Sequence, residues 1–387
     1  MSIRTTPETT PPRETHPVVF DAGMVSYELV RSLGQGHHGE LLLTRQRYHD
    51  GAGGYTVLKR LNRVVRQEDY QRLVEEARLG GQLRHPNIVS VELLGGTPDA
   101  PLLLVEYVEG RPLGDLMRLA VRAGRSVSEA LACHVTSEVA DGLHYAHALL
   151  DEKGRHLGIV HRDVTPQGIL LGRHGEVKLM DFGAAWSRLE GRISTEGDSD
   201  LGNLAYSSPE RAMLDQLDGR SDLFSLGLIL LQLLTGEHLL HAAARHEAEL
   251  LSRQLRARGD GRVPGLEELS ASRTGELMKR MRQLSSQHVQ AATRSLPEGL
   301  RPIVHRALAP RREDRYATGA ELAQALRDHL WNSGLRYGRA ELVAEVSALT
   351  QAALEDLEQP AGTPKRGRGA ASRGRRGGSG SRPGKAS

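Results

Sequence analysis

Two aspartates in short, distinctive motifs are the residues of this chain best suited to chemistry. Asp163 ends the triplet His-Arg-Asp, and Asp181 opens the triplet Asp-Phe-Gly shortly afterwards. One carboxylate can orient an attacking hydroxyl, and a second can hold Mg²⁺ against phosphate oxygens. These are the main demands of phosphoryl transfer, which relies on positioning and electrostatic stabilisation more than on covalent chemistry. The two motifs therefore predict a phosphoryl-transfer site.

A glycine-rich segment is the candidate for holding the phosphates. Gly34, Gly36 and Gly39 form the pattern Gly-x-Gly-x-x-Gly between apolar, strand-like residues. Without Cβ atoms, the backbone amides of such a loop can approach phosphate oxygens closely, although glycines also make ordinary hairpin turns. A dinucleotide site would need the last glycine to open a helix. Leu41 and its neighbours continue as a strand instead, which favours a flap over the phosphates.

A lysine and a glutamate follow the glycine-rich segment. Lys59 ends the run Thr-Val-Leu-Lys, where it is either a solvated strand-end residue or an ammonium that contacts phosphates. Residues 67–83 show helical spacing of apolar side chains and contain two adjacent glutamates. We assign Glu76 as the partner of Lys59 because it precedes the apolar Ala77, and we leave Glu75 as a solvated residue.

The length and composition bound the class of protein. With 387 residues, 39% of them apolar, the chain can form one two-lobed domain with tails or two ordinary domains. Cys133 is the single cysteine, so an internal disulfide is excluded and a reducing compartment fits. The longest apolar run, residues 223–234, is shorter than the roughly 20 residues that a spanning helix needs. Residues 1–17 lack the apolar core of a signal peptide, so we expect a cytoplasmic protein.

Both ends of the chain are predicted to be disordered. Residues 1–24 are rich in Thr, Pro and Glu. Residues 361–387 contain eight Lys or Arg and no Asp or Glu. Between the folded part and this tail, residues 331–360 include one amphipathic helix, which we interpret as a C-terminal extension. The basic tail is either a solvated tail or a contact for nucleic acid or an acidic protein.

Several motifs occur in the order and spacing of one known family. They are the glycine-rich loop, Lys59 with Glu76, the His-Arg-Asp loop, Asp-Phe-Gly, Ser-Pro-Glu at 208–210 and Asp-Leu-Phe-Ser-Leu-Gly at 222–227. On these motifs, residues 25–330 resemble a bacterial Ser/Thr protein kinase of the eukaryotic-like (Hanks) type. The active loop, Val-His-Arg-Asp-Val-Thr-Pro-Gln, is similar to that of myxobacterial members.

The resemblance implies an α+β fold with two lobes. A small, β-rich N-lobe would comprise residues 25–107 and a larger, α-helical C-lobe residues 108–330, with ATP bound between them. Residues 239–297 are longer than the family pattern needs. We interpret them as a helical insertion that is either a docking surface or a neutral loop.

The resemblance also implies a role for each matched residue. Lys59, held by Glu76, would contact the phosphates. Asp163 would orient the substrate hydroxyl and accept its proton, and Asp181 would hold the metal. The residues implied in nucleotide binding are Gly34, Gln35, Gly36, Gly39, Leu41, Val57, Lys59, Glu106 and Val108. The implied cofactors are ATP and Mg²⁺, which Mn²⁺ could replace.

Three further matches concern the support and the regulation of the site. In this family, Glu210 should form a buried ion pair with Arg315, and Asp222 should brace the catalytic loop, residues 161–168. Arg162 belongs with the catalytic residues because its guanidinium could pair with a phosphorylated hydroxyl and order the segment after Asp-Phe-Gly. The candidate sites of autophosphorylation are Ser194, Thr195 and Ser199, with Thr195 the first choice.

Two positions of the catalytic loop depart from the family pattern. Thr165 replaces the usual lysine, which removes one positive contact to the transferred group. Gly168 replaces the asparagine that holds a second Mg²⁺, and a hydrogen cannot ligate a metal. Losing one preorganised contact typically costs about 10²–10³ in rate, so we expect a slow Ser/Thr kinase. The alternative is a nucleotide-binding pseudokinase that acts as a signalling scaffold.

Overall fold

Strands dominate the first part of the structure and helices the second. The computed structural model describes residues 17–36, 39–60, 77–97, 100–185, 187, 205–242 and 279–358. Within these ranges, a β-rich N-lobe is followed by a helical C-lobe. The α+β class and the division into two lobes, both predicted from the sequence, are therefore confirmed.

The N-lobe contains a six-stranded antiparallel sheet. Its strands are β1 (Val18–Asp21), β2 (Val25–Gly36), β3 (Gly39–Tyr48), β4 (Gly51–Arg60), β5 (Val91–Thr97) and β6 (Ala100–Glu106). They lie in the order β1-β2-β3-β4-β6-β5, and every neighbouring pair is antiparallel. The β2-β3-β4 meander brings the glycine-rich segment and Lys59 into adjacent strands.

β1 corrects the predicted boundary of the disordered N-terminal segment. The sequence predicts disorder through residue 24, but Val18–Asp21 is a strand paired with β2. Phe20 is packed against the buried cluster around Tyr27. This apolar contact and the hydrogen bonds at the sheet edge outweigh the polar composition of the preceding residues. Residues 1–16 lie outside the described residues.

The helix predicted over residues 67–83 is described from Ala77 onward, since residues 61–76 lie outside the described residues. Its helical residues end at Gly80. A Cβ at Gly80 would lie 2.7 Å from the Cβ of Val91 in β5. Glycine therefore lets the end of this helix approach the sheet more closely than any other residue would allow.

Helices and one small sheet form the C-lobe and its extension. The described helices are α1 (Leu113–Arg122), α2 (Glu129–Ala148), α3 (Pro209–Ala212), α4 (Gly219–Thr235), α5 (Ser286–Ala292), α6 (Arg301–Ala307), α7 (Gly319–Asn332) and α8 (Arg339–Glu358). The sheet has the order β7 (Gly110–Pro112), β8 (Ile169–Gly172), β9 (Val177–Leu179), all antiparallel. The catalytic loop lies directly before β8.

α4 is the centre of the C-lobe core. Asp218 caps its start by accepting a hydrogen bond from Arg220 N, and Gly236 ends it with φ +73°. Most residues between these caps are buried on every side of the helix, as expected for a core helix. Because α4 contacts α2 and α6, its single acidic residue, Asp222, is held deep inside the lobe.

Glu210 and Arg315 form the buried ion pair that the family resemblance implies. Arg315 Nη1 donates to Glu210 Oε1 at 2.7 Å, and Nη2 donates to Oε2 at 2.8 Å. The Ser221 hydroxyl donates to Oε1 at 2.6 Å. Burial alone would raise the pKa of Glu210, but the hydrogen bonds and charge of Arg315, with the Ser221 hydroxyl, outweigh it and lower that pKa.

Replacing Arg315 with Ala should lower the free energy of unfolding by about 3–5 kcal/mol, because the Glu210 carboxylate would stay buried without a counter-charge. Arg118→Ala is the matched control. Its ion pair with Asp115 is exposed, and its loss should cost less than about 1 kcal/mol. Chemical denaturation of the two variants measures both values. Equal losses of unfolding free energy in the two variants would show that the buried pair stabilises the fold no more than the exposed one.

The same pair predicts a pH dependence of stability. The pKa of Glu210 is lower in the folded than in the unfolded chain. The contribution of its ionised carboxylate to the free energy of unfolding is therefore complete above the unfolded-state pKa. The contribution is lost as the pH falls through the folded-state pKa. The difference in unfolding free energy between the wild type and Arg315→Ala should therefore narrow in acid.

The described residues include most of the predicted C-terminal extension and the ends of the predicted insertion. α8 lies within residues 331–360, in agreement with the amphipathic helix expected there. Residues 243–278 of the insertion and residues 359–387, which include the basic tail, lie outside the described residues. Among the described helices, none combines the length and apolar character needed to cross a membrane.

Candidate active site

The glycine-rich segment forms the turn end of the β2–β3 hairpin. Gly34 pairs with Leu41, and Gly36 pairs with Gly39. β3 begins at Gly39, so a strand follows the last glycine, as the sequence predicts. Gly34 has φ +117° and Gly39 φ +155°, in the range that favours glycine. Residues 37–38 lie outside the described residues.

Lys59 lies in β4, beside this flap. It pairs with Leu41 of β3 on one side and with Leu103 of β6 on the other. Its side chain is 7% exposed, which excludes the alternative of a solvated strand-end lysine. A buried ammonium requires compensation by acidic or polar groups. The predicted partner, Glu76, lies outside the described residues.

β4 and β6 are paired strands that carry three of the candidate nucleotide-binding residues, Val57, Lys59 and Glu106. Val57 is buried and pairs with Val105. β6 ends at Glu106, and Val108 follows in the link to the C-lobe. The Glu106 carboxylate lies 2.7 Å from Lys178 Nζ of β9. This ion pair fixes the end of β6 against the strand that precedes Asp-Phe-Gly.

Asp222 braces the catalytic loop from α4, as predicted. Its Oδ2 accepts a hydrogen bond from His161 N at 2.8 Å, and its Oδ1 accepts one from Arg162 N at 2.9 Å. The His147 ring, near the end of α2, is also bonded to Oδ2 at 2.8 Å. These bonds hold Arg162 at φ +70°, a conformation that residues other than glycine adopt rarely.

Asp222 keeps its charge although it is buried. Burial alone would raise its pKa, but the hydrogen bond and charge of His147, with the backbone N–H of His161, outweigh that effect and lower the pKa. An ionised carboxylate accepts stronger hydrogen bonds than a neutral one. The first residues of the catalytic loop are therefore firmly anchored.

The His161 ring ties the catalytic loop to the segment that carries Asp181. Its Nδ1 accepts a hydrogen bond from Asp163 N at 3.2 Å, so the neutral ring has its proton on Nε2. Nε2 donates to Met180 O at 3.1 Å. The ring also packs on Phe182, with centroids 4.5 Å apart. One buried side chain thus joins the backbones of both predicted acidic motifs.

Gly168 also bonds to Met180, the residue that the His161 ring contacts. Its carbonyl accepts a hydrogen bond from Met180 N at 2.9 Å, and its N–H donates to Thr165 O at 3.0 Å and Thr165 Oγ1 at 3.3 Å. Asp181 follows Met180 in the left-handed conformation, with φ +70° and ψ +62°. A Cβ at Gly168 would have its nearest neighbours at 3.6–3.9 Å. A Cβ at position 168 would therefore make only ordinary van der Waals contacts.

The Asp181 carboxylate suits a Mg²⁺ ion that is bound together with a nucleotide. Mg²⁺ at such sites keeps several waters and is held by one or two carboxylates plus phosphate oxygens. Within the described ranges, no group of three or more His, Cys, Asp and Glu could hold a metal by itself. Asp181 can supply a carboxylate ligand beside the catalytic loop, and a nucleotide would supply further oxygens.

Several of the predicted residues lie outside the described residues. They are Glu76, the side chain of Gln35, and the candidate phosphorylation sites Ser194, Thr195 and Ser199. Conversely, the roles of His147 and Lys178 at the site were not predicted. The sequence contains only weak signals for these two roles. His147 lies shortly before the catalytic loop, and Lys178 lies in the strand that precedes Asp181.

A family comparison agrees with this geometry. The family model described as "Protein kinase domain" matches residues 27–331. The chain belongs to the protein kinase family. The matched kinase domain includes the flap, Lys59, the catalytic loop and the buried pair of Glu210 and Arg315. It ends before α8 begins.

Two curated relatives from Myxococcus xanthus are similar to most of this chain. Tyrosine-protein kinase MasK is 33% identical over 338 residues, which are 84% of this chain and 47% of MasK. Serine/threonine-protein kinase Pkn1 is 32% identical over 308 residues, which are 78% of this chain and 38% of Pkn1. The chain therefore spans less than half the length of either relative.

A solved structure is similar in fold. A double mutant of the Mycobacterium tuberculosis PknI kinase domain is 23% identical, with a TM-score of 0.50. The likeness covers 78% of this chain and 95% of that chain. At this level of identity it concerns the fold alone, and it agrees with the two-lobed architecture.

Proposed function

We propose that this chain is a protein kinase that transfers the γ-phosphoryl group of ATP to Ser or Thr hydroxyls of proteins. The observation that supports this most strongly is the His161 junction, which joins the backbone at Asp163 to the residue before Asp181. Asp163 would orient the substrate hydroxyl and accept its proton. Lys59 would contact the phosphates under the glycine-rich flap.

ATP would bind between the flap and the link that joins the two lobes. The contacting residues would be Gly34, Gln35, Gly36, Gly39, Leu41, Val57, Lys59, Glu106 and Val108. Asp181 would hold Mg²⁺, which when bound neutralises charge on the phosphate oxygens. Mn²⁺ could take the same place, because it accepts the same oxygen ligands.

The class of hydroxyl is a separate part of the proposal. Pkn1 is named a Ser/Thr kinase and MasK a tyrosine kinase. We favour Ser and Thr because the catalytic-loop and Ser-Pro-Glu motifs resemble those of bacterial Ser/Thr kinases. The comparisons do not support the pseudokinase alternative, since both relatives are named as kinases.

Incubating the purified chain with radiolabelled ATP and Mg²⁺ tests the proposal. Acid hydrolysis of the labelled protein should release phosphoserine or phosphothreonine. Phosphotyrosine alone would overturn the class of hydroxyl while leaving the kinase intact. No transfer, together with no affinity for ATP in Mg²⁺ or Mn²⁺, would overturn the proposed function itself.

Regulation and partners extend the proposal. Autophosphorylation of Ser194, Thr195 or Ser199 would create a phosphate for Arg162 to bind. The basic tail, residues 361–387, would contact nucleic acid or an acidic protein, and this contact should weaken steeply with salt. The tail contact and the cytoplasmic location stay predictions from the sequence.

A further inference from the structure

α8 lies beyond residues 27–331, which match the family, yet it is packed into the C-lobe. Leu342, Leu349 and Ala353 on one face of α8 are at most 4% exposed. Leu342 and Leu349 belong to the same core cluster as α1, α2 and α4. An appended helix that simply trailed from the domain would leave this face in water.

Glu345 joins α8 to the start of α2. Its Oε1 accepts a hydrogen bond from Ser128 N at 2.7 Å, and its Oε2 accepts one from the Ser128 hydroxyl at 2.6 Å. The Tyr337 hydroxyl donates to Oε2 at 2.8 Å. The Ser128 hydroxyl in turn accepts from Leu131 N at 3.0 Å and so caps α2. The carboxylate also faces the positive end of the helix dipole.

α2 leads from this cap to one end of the catalytic loop. His147, in its last turn, is bonded to Asp222, which accepts the backbone N–H groups of His161 and Arg162. A helix held at its start cannot slide without moving the residues at its end. Glu345 therefore fixes the position from which the first residues of the catalytic loop are braced.

α1 leads to the other end of the loop. α8 packs along α1, and Gly114 at the start of α1 lies against the Gln167 amide and Pro166 of the catalytic loop. The contact is so close that a Cβ at Gly114 would collide with the Gln167 amide. The start of α1 is therefore in direct contact with the last residues of the catalytic loop.

The start of α8 also meets the β8–β9 turn. Gly175 in that turn has φ +82°, and a Cβ there would lie 2.5 Å from the Arg339 carbonyl oxygen. β8 continues directly from the catalytic loop, and β9 leads towards Asp181. α8 thus contacts all three supports of the loop, namely α1, α2 and the β8–β9 hairpin.

We propose that α8 is part of the catalytic unit and that Glu345 is a positioning residue for phosphoryl transfer. This inference rests on the proposed kinase function. The Glu345 carboxylate touches neither substrate nor nucleotide. It sets the catalytic loop by fixing α2 at its cap and by seating α8 on α1.

The test is Glu345→Gln in the full chain. Glutamine has the same size, but its amide places N–H groups where a carboxylate oxygen accepts bonds from Ser128 and Tyr337. Small displacements of catalytic groups are costly, so kcat should fall about 10-fold while KM for ATP stays unchanged. Glu355→Gln is the matched control on the same helix, where the exposed carboxylate contacts Gln351. It should leave kcat unchanged.

Hydrogen exchange separates positioning from general stability. In Glu345→Gln, amides of residues 161–169 should exchange faster, whereas those of α4 should keep the protection of the wild type. Faster exchange throughout α4 would assign Glu345 a merely stabilising role and overturn the inference. Unchanged kcat and unchanged exchange at 161–169 would overturn it too.

The two proposals can fail separately. A wild-type chain that neither transfers phosphate nor binds ATP refutes the kinase function, yet exchange at residues 161–169 still decides whether Glu345 holds the loop. If Glu345→Gln does not fold, Tyr337→Phe is the milder variant, because it removes one of the donors to the carboxylate. Tyr337→Phe should then increase exchange at residues 161–169, and no increase would overturn the inference.

Discussion

Replacing Asp163 with Asn should lower the rate of phosphoryl transfer by about 10²–10⁴, the usual contribution of a positioned general base. Asparagine has nearly the same shape but cannot accept a proton from the substrate hydroxyl at neutral pH. The loop should keep its geometry, because the bond to His161 Nδ1 uses the backbone N–H of residue 163. The loss should therefore fall on kcat, with the affinity for ATP close to that of the wild type.

Steady-state kinetics and a nucleotide-binding measurement on the same samples separate the two quantities. Asp328→Asn is the matched control, since this exposed carboxylate on α7 accepts a hydrogen bond from Gln324 on the same helix. It should leave both quantities unchanged. If Asp163→Asn transfers phosphate at the wild-type rate, another residue is the base and the assignment of the loop is wrong.

The acidic motifs could be predicted from the sequence because their geometry is local. His161 reaches Asp163 two positions later, and the Gly34–Gly39 flap is closed by a short hairpin. Local spacing of this kind restricts what a backbone can do. Short motifs therefore identified the parts of the site that short stretches of chain determine.

Distant contacts gave no comparable signal. Ser128 and Glu345 are 217 positions apart, and nothing in the sequence around either residue indicates that the two are hydrogen-bonded. The pair of Glu210 and Arg315, 105 positions apart, was predicted through the family resemblance alone. β1 was missed for a related reason, because its stability depends on Phe20 reaching the cluster around Tyr27. Tertiary packing determines whether such an element forms. The composition of the residues that precede it in the sequence does not.

Position 168 connects these two kinds of information. The family resemblance implies that Gly168 replaces a metal-binding asparagine, and the structure shows what surrounds Gly168. The backbone of Gly168 is fixed at both its N–H and its carbonyl, and the carbonyl bonds to the residue that precedes Asp181. A side chain added at Gly168 would therefore start from an anchored backbone next to the candidate metal ligand.

Replacing Gly168 with Asn should raise kcat by about 10²–10³, the usual worth of one preorganised electrostatic contact. The nearest atoms to a Cβ at this position are 3.6–3.9 Å away, and Gly168 has no positive φ that would strain an L-residue. The carboxamide oxygen would add the missing ligand for a second Mg²⁺. The gain should come with saturation at a lower Mg²⁺ concentration.

Gly168→Ala is the control that isolates the ligand. Alanine adds the Cβ and restricts the unfolded chain just as asparagine does, but it supplies no oxygen. Measuring kcat across a Mg²⁺ titration for both variants tests the idea directly. If kcat rises no more in Gly168→Asn than in Gly168→Ala, the glycine does not limit metal binding. The prediction that Gly168 makes the kinase slow is then wrong. A gain specific to Asn would show that the cleft is built for two metals and that the loss of one ligand restrains the enzyme.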